Sequence, residues 1–318
     1  LEEVEPGQDY EVIVDFKPAK PLDLEGFYER LSEIGTSIQV GEGEGMYRMH
    51  IHVPAEHRYA PIDYTMTLGT ITKVAIENLM EQMESRKGVD QGYSLNPIEA
   101  GQIAVVAVSP GNGLSRIFAS LGVAAIVEGG QTMNPSTEEI LQAFENLPTD
   151  KVIILPNNRN IILASQNAAN LTVKKVAIIQ SKTIPQGFNA LLRLDPDGDF
   201  DLVTKEMEES LSEVDTGEIT TATRSVEING VEVNQGEVIA LLNGNLIKSA
   251  PTVAEACIGL LDSAKASERE RITLFYGMNI TRTEVNKIVD EIRSVYPSHE
   301  IELHEGGQPH YQLILSIE

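Results

Sequence analysis

Four short apolar runs, Ile103–Val108, Val123–Val127, Val152–Leu155 and Val176–Ile179, constrain the fold of this chain most strongly. Each is rich in Val and Ile, and stretches with helical spacing separate them. That alternation predicts a parallel sheet covered on both faces, because a strand buried on both sides reads as a continuous apolar run. The join after the second run is the sharpest. Gly129 and Gly130 allow a tight turn, and Ile140-Leu-Gln-Ala-Phe144 resumes helical spacing. Pro135 suits a first helical turn with Asn134 as its N-cap, and Ser136 with Glu139 offers a rival capping box.

Polar groups therefore collect at the carboxyl ends of strands, where open α/β sheets bind ligands. The candidates are Ser109 and Asn112 in the first loop and Gln131, Thr132 and Asn134 in the second. Asn157, Asn158, Arg159 and Asn160 follow in the third, and Lys182 in the fourth. Amides, hydroxyls, two cations and helix N-termini suit an anion such as a carboxylate or phosphate. Gly111-Asn-Gly113 is short of the full dinucleotide fingerprint. The plainer alternative is that these loops only cap helices.

Ahead of the runs, residues 9–16, Met46–Val53 and Gly69–Ile76 read as strands. Leu22–Ile34 and Glu77–Ser85 read as helices, which predicts a small α+β domain over residues 1–90. Arg86–Gln102, polar and Gly-containing, reads as a linker. A second domain over residues 101–318 is expected to have two lobes, about 101–215 and 216–318. Its second lobe reads as the hairpin strands Glu218–Ile228, Val231–Val233, Glu237–Leu242 and Leu246–Lys248, with Asn-Gly turns at Asn229 and Asn243. Helices Val253–Leu261 and Thr283–Val295 and strands Ile272–Tyr276, Glu300–Leu303 and Gln312–Ile317 complete it. The fold class is α/β: a small α+β domain, then a parallel α/β lobe and a mixed α+β lobe.

Charge narrows the function. With 48 acidic against 24 basic residues the net charge is −24, which argues against binding nucleic acid or anionic lipid. No run approaches the roughly 18 apolar residues of a membrane span. The single cysteine, Cys257, falls in a helix; it reads as an inert buried thiol and fits a reducing cytoplasm. The acidic start has no signal-peptide pattern and no initiator Met, so a fragment or processed chain is expected. There is no Walker A sequence, protein-kinase signature or Gly-x-Ser-x-Gly.

His50 and His52 are the metal candidates. Residues i and i+2 of a strand share a face, so the two imidazoles could share one ion. Zinc normally takes at least three protein ligands, and Glu11, Asp15, His57 or a second subunit could supply the third. The alternative is a pair of ordinary strand histidines. Asp195, Asp197, Asp199, Asp201 and Glu206 have calcium-loop spacing, but Phe200 stands where that loop needs Gly. A turn leading into an acidic helix is the better account.

Several strings resemble one family, the bacterial fatty acid kinases. They are Gly129-Gly-Gln-Thr-Met-Asn-Pro-Ser-Thr-Glu138, Leu155-Pro-Asn-Asn-Arg-Asn-Ile-Ile-Leu163, Ile228-Asn-Gly-Val-Glu232 and His304-Glu-Gly-Gly-Gln-Pro309. Met49-His-Ile-His-Val53 and Ile76-Glu-Asn-Leu-Met-Glu-Gln82 are similar to that family's middle domain. The resemblance implies a middle domain followed by a DegV-like C-terminal domain. It implies that the middle domain dimerises and holds zinc between two histidines and a Cys. That Cys is missing from the segment that matches, Val12-Ile-Val-Asp-Phe16. ATP and magnesium would belong to a preceding dihydroxyacetone-kinase-type domain whose Asp-rich motif is not in this chain. The implied function is non-catalytic dimerisation and docking of a DegV-type fatty-acid carrier, in a protein that phosphorylates carrier-bound fatty acid. The alternatives are a self-standing DegV-like fatty-acid-binding module and a metal-dependent hydrolase centred on His50 and His52.

Overall fold

The computed structural model describes residues 7–43, 45–79, 93–131, 133–228 and 231–318. In the first sheet, β1 (Tyr10–Pro18) is central. Helix α1 (Leu24–Ser32) follows, N-capped by Asp23, whose carboxylate accepts from the Gly26 N–H. Strands β2 (Thr36–Gly43) and β3 (Met46–Val53), helix α2 (Ala60–Leu68) and strand β4 (Gly69–Asn78) complete the unit. The sheet is antiparallel in the order β2-β3-β1-β4. One face packs Val12, Val14, Phe16, Met49, Ile51 and Val53 onto Phe27 and Leu31 of α1.

The opposite face breaks the usual alternation. Glu11, Asp15, Arg48, His50 and His52 all point there and are all buried, because loops of the next unit cover them. The helix expected over Glu77–Ser85 is corrected at its start: Glu77 and Asn78 pair with Glu11 and Tyr10, which prolongs β4. Residues 80–85 of that expectation, and residues 86–92 of the linker, lie outside the described residues.

The second sheet comprises β5 (Ile103–Ser109), β6 (Ala125–Glu128), β7 (Lys151–Leu155) and β8 (Lys175–Ile178). Between them run α3 (Asn112–Ser120), α4 (Thr137–Glu145) and α5 (Ile162–Ala169); α6 (Ile184–Leu191) and α7 (Phe200–Ser210) follow. All strands are parallel in the order β6-β5-β7-β8, as the four apolar runs predict. Ile103, Val105, Ala107, Ile153 and Leu155 pack to one side with α3, α6 and α7; Val106, Val108, Val152 and Ile154 pack to the other with α4 and α5. Of the two caps proposed for α4, Ser136 is correct: its hydroxyl accepts from the Glu139 N–H, and the Glu139 carboxylate accepts in return from the Ser136 N–H. The calcium spacing dissolves likewise, because Asp199 N-caps α7 and Asp201 pairs with Lys175.

The third sheet runs β13-β12-β9-β16-β14-β15. Its members are β9 (Asp215–Thr221), β12 (Val238–Leu242), β13 (Asn245–Ala250), β14 (Arg271–Tyr276), β15 (Glu300–Glu305) and β16 (Tyr311–Ile317). Only β14 and β15 pair in parallel. The strand expected over Glu218–Ile228 is divided: β9 ends at Thr221, and β10 (Val226–Ile228) pairs with β11 (Val231–Val233) as a separate ribbon. Backbone bonds from Ala222 to Glu237 and from Gly236 to Ala222 make the break. Helices α8 (Val253–Ser263) and α9 (Arg282–Val295) cover one face, and Phe275 and Ile314 on the other meet the parallel sheet. Among the described residues no helix is long and apolar enough to cross a membrane.

Candidate metal centre and interlobe crevice

Antiparallel register sets Glu11 opposite His52 and Ile13 opposite His50. Because alternate residues share a face, Glu11 lies beside both imidazoles. Its Oε1 stands 3.4 Å from His50 Nε2 and 3.7 Å from His52 Nε2, and the two rings lie 5.0 Å apart. One ligand atom from each of the three residues fits within 4.8 Å of the others. His50 Nε2 is buried without a hydrogen-bond partner, a costly state that a bound cation would relieve. Burial pushes His50 down to about 4, with Glu11 opposing, so a lone pair is available at neutral pH. Two imidazoles and a carboxylate are a donor set that zinc accepts. The other third-ligand candidates are elsewhere: Asp15 is bound to Arg48, and His57 is exposed in a short 3-10 turn.

The site sits where the first unit meets the second. Arg48 reaches Glu145 at the end of α4 at 2.5 Å and Thr172 after α5 at 3.2 Å. Glu11 Oε2 accepts from Asn146 Nδ2 at 2.9 Å. None of these partners can be read from local pattern, since they lie about a hundred residues away. The residues they meet, Glu145, Asn146 and Thr172, lie at the amino ends of the parallel strands.

The crevice is at the opposite end. The strand order reverses direction beside β5, which makes the gap between β5 and β7 a topological switch point. Asn157, in the left-handed region at φ 54°, spans it: its Nδ2 donates to the Val108 carbonyl at 2.9 Å and its Oδ1 accepts from Ser181 Oγ at 2.9 Å. A cavity of about 210 Å³ opens there between the parallel sheet and the third sheet. Gln131, Asn157, Asn158, Arg159 and Asn160 line it, with Lys182. Gln131 and Asn158 are bonded to each other at 3.0 Å. Ser109, Asn112 and Asn134 do not line it. Ser109 is buried and accepts from Ser115 Oγ, Asn112 opens α3, and Asn134 is exposed beside the α4 cap. Thr132 lies outside the described residues.

The far wall comes from the third sheet, which pattern reading misses. Glu218, Leu241, Gln308, His310 and Tyr311 contribute; Glu218 and Leu241 fall within expected strands and Gln308 within a family-like string, but the sequence marks none of the five as a site residue. Burial pushes Glu218 up to about 7 against opposing contributions from Tyr311 and Arg159. Arg159 closes the two walls by donating to the Asn243 carbonyl at 3.0 Å, and Thr183 meets Thr216 at 2.8 Å. Asn243 and Gly244, at φ 50° and 79°, form the tight hairpin turn the Asn-Gly pair predicts. A Cβ on Gly244 would collide with the Arg159 guanidinium. Deeper between the lobes, Phe118, Phe188 and Phe275 stack at 4.4 and 5.3 Å.

Comparison with known proteins agrees with this architecture. The family model for the middle domain of FakA-like fatty acid kinase proteins matches residues 5–86, and that for their C-terminal region matches residues 104–318. An uncharacterised protein of Staphylococcus epidermidis is 34% identical over 322 residues, covering all of this chain and 58% of the relative. One from Staphylococcus aureus is 33% identical over 309 residues, covering 97% of this chain and 56% of the relative. The chain thus spans a little over half the length of these curated relatives. Among solved structures, a DegV family protein of Corynebacterium glutamicum superposes with a TM-score of 0.50 at 13% identity, over 68% of this chain and 95% of its own. That likeness establishes a DegV-like fold for the two-lobed part, and the family matches carry the assignment further: this chain belongs to the FakA-like fatty acid kinase family.

Proposed function

We propose that this chain is the dimerising and carrier-docking portion of a fatty-acid kinase. The observation that carries the reading is the match of both regional family models along nearly the whole chain. A preceding domain would bind ATP and magnesium and transfer the γ-phosphate to a fatty acid presented by a DegV-type carrier. Cations that neutralise the transferring phosphoryl group would act there. This chain alone would be catalytically silent.

The crevice supports docking over lipid capture. Its volume of about 210 Å³ is below the roughly 300–1,000 Å³ usual for small-molecule sites, and its lining is rich in amides. The Phe118–Phe188–Phe275 cluster closes the crevice off from a second interlobe groove of about 520 Å³, which Phe188 and Phe275 line on its other side and which is the place a lipid chain would occupy if this chain held one. The exposed Arg159 and Asn160, the half-buried Asn158 and Met133, 58% exposed, would form part of the docking face. Denaturing mass spectrometry of the purified chain is the test. No copurified fatty acid is expected; a stoichiometric one would assign lipid binding to this chain instead.

Glu11, His50 and His52 would hold a divalent ion such as zinc, which would cross-link β1 to β3. Oxygen from Glu11 would replace the thiolate of the family's set. Dimerisation is assigned to the first unit, where β4 is an edge strand and Val74, Met66 and Tyr59 are exposed. Light scattering should report a dimer.

A further inference from the structure

We propose that Asn146 is a positioning residue for the Glu11–His50–His52 site, so that the metal centre is fully formed only while the two units are docked. The inference rests on the metal reading above and adds a partner from the other side of the interface. Glu11 divides its two oxygens. Oε1 faces both imidazoles, and Oε2 accepts from Asn146 Nδ2 at 2.9 Å. A ligating carboxylate is oriented by whatever binds its second oxygen, and such outer partners commonly matter 10–100-fold to metal affinity.

The second unit fixes where that amide stands. Asn146 C-caps α4, and its backbone N–H bonds to Phe144. The preceding residue, Glu145, is bonded to Arg48 of β3. The segment just after it is pinned by Lys174, whose amine donates to the Leu147 and Thr149 carbonyls at 2.5 and 2.7 Å. Glu11 is only 4% exposed, so solvent is a poor substitute for the amide. The amino end of α4 carries the Ser136–Glu139 capping box beside the crevice loop, roughly 13 Å away along a nine-residue helix. One helix therefore links the metal-binding carboxylate to the docking face.

The test compares zinc affinity of the full chain, by chelator competition, for wild type, Asn146→Ala, Asn146→Leu and the His50→Ala/His52→Ala double variant. Asn146→Leu keeps roughly the volume and removes the donor without adding a charge beside Glu11, so it carries the test if the Ala variant folds poorly. Expected is a 10–100-fold loss of zinc affinity in both Asn146 variants, each still folded by circular dichroism, with metal-free unfolding midpoints lowered modestly because the Glu11 oxygen loses its partner. The visible spectrum of the cobalt(II) form should also change, which a purely structural role would leave alone. Wild-type affinity and an unchanged cobalt spectrum in both variants would overturn the role of Asn146. Wild type binding no more zinc than the double His variant would instead overturn the metal reading itself.

Discussion

Arg48 grips Asp15 in a two-point pair, Nε to Oδ1 and Nη2 to Oδ2, each at 2.7 Å, with both side chains almost wholly shielded from solvent. Parallel bonds of this kind are the strong form of the ion pair. Breaking such a pair leaves a buried charge. Asp15→Ala should therefore destabilise the protein by roughly 3–5 kcal/mol, read by urea unfolding. A loss under about 1 kcal/mol would mean that Glu145 alone satisfies Arg48.

Capping of α4 gives a smaller expectation. Ser136→Ala removes the hydroxyl that accepts from Glu139 N–H and should cost about 1 kcal/mol. Asn134→Ala, at the rival position, should cost nothing measurable by the same urea unfolding, because Asn134 is exposed and does not cap the helix.

Glu218 gives a pH dependence. Its folded pKa is raised from the usual 4.5 to about 7, chiefly by burial. The folded state therefore holds a proton that the unfolded state releases. The associated stability is complete below about pH 4.5 and is lost as pH rises through about 7. The loss is at most about 3 kcal/mol, at 1.36 kcal/mol per pKa unit. Unfolding midpoints from about pH 4.5 to about pH 8 should slope downward in wild type more than in Glu218→Gln. Parallel curves would show that Glu218 titrates normally.

The parts of this fold legible in sequence are those with strong periodicity. Val and Ile runs announce β5 to β8, and Asn243-Gly244 announces its turn. Strand β2 escapes a pattern reading because Gly41 and Gly43 dilute its alternation. Helix α2 escapes because it is short and its Thr residues weaken the helical signature, although Pro61 sits where a first turn accepts it. His-x-His is visible, and so is Glu11 as one of several third ligands, but only register can choose between Glu11 and Asp15. Asn146 and Glu218 are beyond reach, since each acquires its meaning from a partner distant in the chain.

The metal reading makes a further claim about Glu11. Glu11→Gln should weaken zinc binding, because a neutral amide is a poorer ligand than a carboxylate. Glu11→Cys should restore or strengthen it, because thiolate is a softer donor. Chelator competition would show the order Cys, Glu, Gln from tightest to weakest. Equal affinity in all three would remove Glu11 from the ligand set.

The central claim is that the crevice face docks a DegV-type fatty-acid carrier. Isothermal titration of the wild-type chain with such a carrier tests it most directly. The contact should be saturable and should weaken as salt rises, given the net charge of −24. Asn160→Trp, which obstructs the crevice mouth, should weaken it at least about tenfold, equivalent to about 1.4 kcal/mol. Undiminished binding by Asn160→Trp would place docking elsewhere on the chain. No heat of binding with wild type, at carrier concentrations that saturate a full-length relative, would contradict the account.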